Sequence, residues 1–212
     1  IEQVDVIIEE GNCPDAIDCS EEFGRHLQAN QNEILLKVSD IATFYCTKNH
    51  ISVCSHSTDV RDVQCFLIYA AIPYWLLLQG CLVLRGCALS FNDQVATLIL
   101  SHTGGGSSTL GYLATKKSAV LISDHLCVLK QHSPTEIRVY PGYKEIKLWR
   151  ETRHNLTLPQ EKFRQLRATI KSYSCKTQYV NSSLPVKQVL FLAQSNQIKA
   201  TETIRGAKKL SI

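Results

Sequence analysis

The chain has 212 residues, of which 44% are hydrophobic and 20% charged, with a formal net charge of +4. That balance fits a folded globular protein of one large or two small domains and excludes a disordered or fibrous chain. Lys and Arg are scattered and never form a dense patch with interleaved aromatics, so nucleic acid is not an expected partner.

In chain order, residues 4–8 alternate and are β-branched, which predicts a strand, and residues 11–32 are polar and turn-rich. Residues 33–38 and 41–47 predict a hairpin around Ser39-Asp40, with a further strand at 51–54. Residues 1–58 thus make a small β-rich unit, and residues 59–212 a second, larger one. In the second, Val63, Phe66, Leu67, Ala70, Ala71, Tyr74, Leu77 and Leu78 fall at helical spacing within 59–79, and Pro73 is expected to kink or divide that helix. Its apolar run, residues 65–78, is too short to span a membrane. A short strand at 81–84 follows, then a hairpin of 87–90 and 95–100 around Phe91-Asn92-Asp93-Gln94. Residues 107–116 predict a helix, and 119–122 an apolar strand ending at Ser123-Asp124.

The nine cysteines are odd in number and irregularly spaced, with no Cys-x-x-Cys and no Cys/His pair at zinc-ligand spacing. Several lie in apolar runs, as in Leu126-Cys127-Val128-Leu129, and read as small core residues of a reducing, cytoplasmic protein.

The segment from Ser101 to Thr109 carries the chemistry. A Val/Leu/Ile strand runs into Ser101-His102-Thr103-Gly104-Gly105-Gly106-Ser107-Ser108-Thr109, a helix follows, and the next strand ends in Asp124. This is the layout of a phosphate-binding loop. Glycines let backbone N–H groups close around a phosphate, and the helix start adds its dipole. In that layout Thr103, Gly104, Gly105, Gly106, Ser107, Ser108 and Thr109 cradle the phosphates of ATP. Ser108 and Asp124 hold Mg²⁺, and Asp124 can accept a proton. Bland roles stand beside these: three glycines also make a turn, Ser108 could cap the helix, and Asp124 could be a turn residue.

With its flanks, the segment resembles the HPr kinase/phosphorylase-like proteins and the related Ser kinases of lasso-peptide precursors. The resemblance runs through Leu76-Leu77-Leu78-Gln79-Gly80, Leu84-Arg85-Gly86-Cys87, the glycine loop, Ser123-Asp124-His125, and Pro141-Gly142-Tyr143 running on to Leu148-Trp149. It extends to Glu161-Lys162-Phe163-Arg164 and the apolar stretch 189–192. It implies an α/β P-loop core like that of phosphoenolpyruvate carboxykinase behind the β-rich unit. It implies ATP and Mg²⁺ as cofactors, Asp124 and Arg85 as catalytic positions, and a small protein or peptide as substrate or partner. Self-association is a further option. It also implies more helical sequence after the strand near Val189, where this chain has a short basic segment at 199–209.

The departures from the family pattern decide the expected activity. Ser107 stands where the loop lysine belongs, Ser101 where the first glycine belongs, Arg85 replaces the motif histidine, and His125 the second aspartate. Losing one transition-state cation costs about 3 kcal/mol, roughly 10²-fold in rate. Arg85, Lys116, Lys117 and Lys147 are the cations that could stand in. The expected function is therefore a pseudokinase acting as a binding or regulatory subunit. The alternative is an active or weakly active ATP-dependent Ser kinase.

Overall fold

The computed structural model describes residues 5–166 and 172–193. It is a mixed α/β fold with three sheets and few helices.

The first sheet holds β1 (Ile7–Glu10), β2 (Glu21–Phe23), β3 (Leu27–Ala29), β4 (Ile34–Val38), β5 (Ala42–Cys46) and β6 (His50–Ser55), in the order β1-β6-β5-β4-β3-β2. The expected hairpin is β4–β5, turning at Asp40 with a positive φ. Residues 11–32 differ from expectation, because a short antiparallel pair, β2–β3, forms within them. Its side chains are half-buried or exposed, so it carries no apolar alternation to betray it. The strand expected at 4–8 begins at Ile7 and pairs in parallel with β6, and position 4 lies outside the described residues.

The helical run 60–78 is one continuous path of three parts: α1 (Val60–Phe66), a π-helical turn (Leu67–Ala71) and α2 (Ile72–Leu78). Asp59 caps its start, its carboxylate accepting from the Arg61 N–H at 3.0 Å. Pro73 sits in the first turn of α2, where its missing N–H costs least, and the wider π turn immediately precedes it. Ala71 and Trp75 join Phe44, Ile51 and Cys46 in one buried cluster, so this run closes the core of the first sheet. The Trp75 indole N–H donates to the Lys48 carbonyl at 3.0 Å.

The second sheet is a closed barrel of β7 (Leu82–Ser90), β8 (Ala96–Ser101), β9 (Val120–Ser133), β10 (Glu136–Tyr140) and β14 (Leu184–Leu192), in the order β10-β14-β8-β7-β9. Only β14 and β8 pair in parallel there. Two expectations are corrected. The strands expected at 81–84 and 87–90 merge into one, β7, which starts at Leu82 and passes through Gly86, where a Cβ would lie 2.5 Å from the Ile99 carbonyl oxygen. The strand expected to end at Asp124 runs on to Ser133, placing Asp124 inside β9.

Both faces of these strands are covered. Ala88, Leu98, Leu100, Ile122 and Cys127 point into the barrel. Cys87, Leu89, Ile99 and Leu121 point the other way, under α3 (Ser107–Thr115) and the third sheet. Period-2 alternation between two buried faces explains why the sequence here is continuously apolar. The third sheet has β11 (Glu145–Trp149), β12 (Arg164–Gln165) and β13 (Ser172–Lys176) in the order β11-β13-β12. A short α4 (Arg150–Asn155) and a 3₁₀ turn (Gln160–Lys162) connect its strands. Glu161 to Arg164 thus forms that turn and the start of β12, and 189–192 the end of β14. The basic segment 199–209 lies outside the described residues. All nine cysteines are free thiols, with Cys46, Cys87, Cys127 and Cys175 buried. Among the described residues no helix is long and apolar enough to cross a membrane.

Candidate functional site

Strand β8 delivers Ser101 to the loop and α3 leaves it. Gly104 (φ 81°) and Gly106 (φ 96°) take left-handed backbone conformations that other L-residues resist. The Gly105 N–H donates to the His102 carbonyl at 2.8 Å and closes the turn. Gly106 is the N-cap of α3, and no side chain caps the helix. Its hydrogen-bond ladder opens with the Leu110 N–H donating to the Gly106 carbonyl at 2.8 Å. By helix geometry the amides of Ser107, Ser108 and Thr109 therefore have no intrahelical acceptor. Ser108 is thus not a cap, which removes one of its two expected roles. The helix is seated by Gly111, whose Cα approaches the Cys87 thiol too closely to admit a Cβ.

The loop, β7, β9 and β11 enclose a cleft of about 130 Å³. Arg85, Thr103, Gly104, Gly106, Ser107, Ser108 and Thr109 all line it. Gly105 shapes the turn without lining the cleft, and Asp124 lies behind it, 3% exposed. The Lys147 backbone N–H donates to Asp124 Oδ2 at 2.8 Å. Oδ1 is buried and receives no hydrogen bond of good geometry, although the Ser108 hydroxyl, the His125 N–H and the Cys87 thiol surround the carboxylate. Burial raises the Asp124 pKa to about 6, opposed by the Lys147 N–H, the nearby Ser108 hydroxyl, the His125 N–H and the Cys87 thiol. A carboxylate beside a serine hydroxyl is a donor set that fits Mg²⁺, which takes few protein oxygens and completes its shell from water and phosphate. Among the described residues no group of three His, Cys, Asp or Glu is placed to hold a metal alone.

Arg85 is a mid-strand residue of β7. Its Nη1 donates to Thr103 Oγ1 at 3.3 Å, and its Nη2 lies 3.5 Å from His125 Nε2, at the outer limit for a hydrogen bond. Burial, then Lys147 and Arg85, push the His125 pKa down to about 4, so the ring is neutral at pH 7. His125 also has φ 73°, a conformation uncommon for a non-glycine residue inside a strand. Its ring meets Tyr69 edge to face with centroids 4.8 Å apart. Tyr69 comes from the π turn, so the helical run that closes the first sheet's core also packs against His125 and Lys147, which line this cleft.

Lys147 comes from β11, with its ammonium 5.0 Å from the Tyr69 ring centre and 5.8 Å from that of Trp149. Of the four cations that could replace the loop lysine, Arg85 and Lys147 line the cleft. Lys116 lies over Tyr112 at the far end of α3, about 13 Å away at about 1.5 Å per residue. Trp149 is 46% exposed and lines the cleft. The Pro141-to-Trp149 block is held against β9 by the Gly142 N–H on the Ile122 carbonyl at 3.0 Å, as well as by the Asp124–Lys147 bond. Sequence reasoning missed Tyr69, because its helical spacing marked it only as a neighbour of core residues. It also missed the placement of Lys147, which depends on how β11 docks on β9. Among the described residues the cleft lining includes two cations and two histidines but no Asp or Glu, so the space is chemically suited to an anion. No protein-family model and no curated protein matches this chain.

Proposed function

We propose that this chain is an HPr-kinase-like protein that keeps its phosphate loop as an anion-binding site and has lost efficient phosphoryl transfer. In this reading it is a pseudokinase that acts as a binding or regulatory subunit toward a small protein or peptide. The observation that carries the reading is the loop between β8 and α3. Its two left-handed glycines and uncapped helix start suit a phosphate, while Ser107 occupies the position where transfer needs a lysine. The residues that would hold Mg²⁺-ATP are Thr103 to Thr109 around the phosphates and Ser108 with Asp124 at the metal. The bound metal would neutralise charge on the phosphate oxygens.

One observation favours a second reading, an active or weakly active Ser kinase. Arg85 and Lys147 bring two cations to the cleft that the loop itself lacks. In that case Asp124, with its pKa raised to about 6, would take the proton of the attacking hydroxyl at neutral pH. Phosphate release from labelled Mg²⁺-ATP separates the two. The pseudokinase reading predicts a wild-type rate equal to that of Asp124→Asn, and ATP binding strengthened by Ser107→Lys. A wild-type rate well above that of Asp124→Asn would favour the kinase.

A further inference from the structure

Arg85 and Lys147 reach the same cleft from different sheets, β7 of the barrel and β11 of the third sheet. Neither position is a lysine of the loop, yet both face the space the loop encloses. We propose that Arg85 and Lys147 form a cation pair that grips the terminal phosphate of a phosphorylated ligand, in place of the missing loop lysine. The inference rests on the reading of the glycine loop as a phosphate site and adds which side chains supply the charge and which part of the ligand they take.

Two observations support it. The Arg85 guanidinium is aimed at the loop by two long contacts to uncharged acceptors, the Thr103 hydroxyl and the His125 ring. Neither contact neutralises its charge, and among the described residues no carboxylate forms an ion pair with it. Among the described residues the lining includes no Asp or Glu, and the Asp124 carboxylate is buried behind it, accepting from the Lys147 backbone N–H. A planar guanidinium suits two phosphate oxygens, and a lysine from a second sheet acts as a point charge on the third. Recognition is therefore centred on a phosphate group, whose negative charge the two cations match.

The test is calorimetric titration of the full chain at constant ionic strength with inorganic phosphate, AMP, ATP and O-phosphoserine, each with and without Mg²⁺, and with adenosine. Wild type is predicted to bind the phosphate-bearing compounds and not adenosine. The ranking of AMP, ATP and O-phosphoserine tells a nucleotide from a phosphorylated side chain. Arg85→Gln and Lys147→Gln should each weaken phosphate binding about tenfold or more, the scale of a lost charge-assisted hydrogen bond. Arg85→Lys and Lys147→Arg should retain more affinity than the neutral variants, and Lys116→Gln should change nothing. Thermal melts show whether each variant is folded. Binding that survives both neutral variants but is lost in Gly106→Asp would overturn the cation pair and leave the loop reading standing. No binding of any phosphate compound by wild type would overturn both.

Discussion

Asp124→Asn should stabilise this protein at neutral pH, although it removes the most buried acidic group of the candidate site. Burial raises the Asp124 pKa from 3.8 to about 6. The folded state therefore favours the protonated acid. The stability this contributes is fully present below pH 3.8 and is lost as pH rises through 6. A rise of that size corresponds to about 3 kcal/mol at pH 7.5, and linkage leaves about 1 kcal/mol of that cost at pH 4.5. Asparagine has the same shape and can still accept from the Lys147 N–H, which now donates to Oδ2 at 2.8 Å. Urea unfolding of both proteins at pH 7.5 and 4.5 measures the difference. The expected gain is about 2–3 kcal/mol at pH 7.5, shrinking to about 1 kcal/mol or less at pH 4.5. A variant less stable at pH 7.5, or a difference independent of pH, would refute the reasoning.

Three further outcomes follow from the packing. Gly111→Ala drives a methyl into the buried Cys87 thiol and should cost about 1–3 kcal/mol in unfolding free energy, with α3 lifted from β7. Phe44→Ala empties a fully buried site between the first sheet and the helical run, and should cost about 3–5 kcal/mol. The His125 ring should titrate near pH 4 in a proton NMR series. Because that pKa is lowered, its share of the stability falls as pH drops from 6.5 toward 4, opposite in sign to that of Asp124 over much of the same window. The two effects therefore offset each other in the wild type, and Asp124→Asn should expose the histidine's acid sensitivity.

The elements that sequence reveals here are those with local signals. The β4–β5 hairpin, the β7–β8 turn and α3 all lie within a few residues of their expected places, because alternation, turn residues and helical spacing are written inside each segment. The glycine loop is legible for the same reason. The rest depends on distant parts of the chain. Gly86 reads as a strand break until the Ile99 backbone is seen pressed against it. Asp124 reads as a strand end because nothing local shows that β7 and β10 both continue alongside β9. Barrel closure depends on β14 pairing in parallel with β8 across more than eighty intervening residues. In the site, the loop residues were legible from their order. Lys147 was visible only as one cation among four, since its position depends on the docking of two sheets. Tyr69 enters through a π turn that its sequence does not announce.

The central claim is that the glycine loop still binds phosphate. The most direct measurement is a thermal-shift titration of the full chain with Mg²⁺-ATP, run beside Gly106→Asp. That variant places a side chain and a negative charge at a residue with φ 96°. The account predicts a melting temperature that rises with ATP concentration in the wild type, consistent with about 2.7 kcal/mol at one hundred times Kd. It predicts no rise in Gly106→Asp. A wild-type melting temperature unmoved at millimolar ATP, or an equal rise in both proteins, would contradict it.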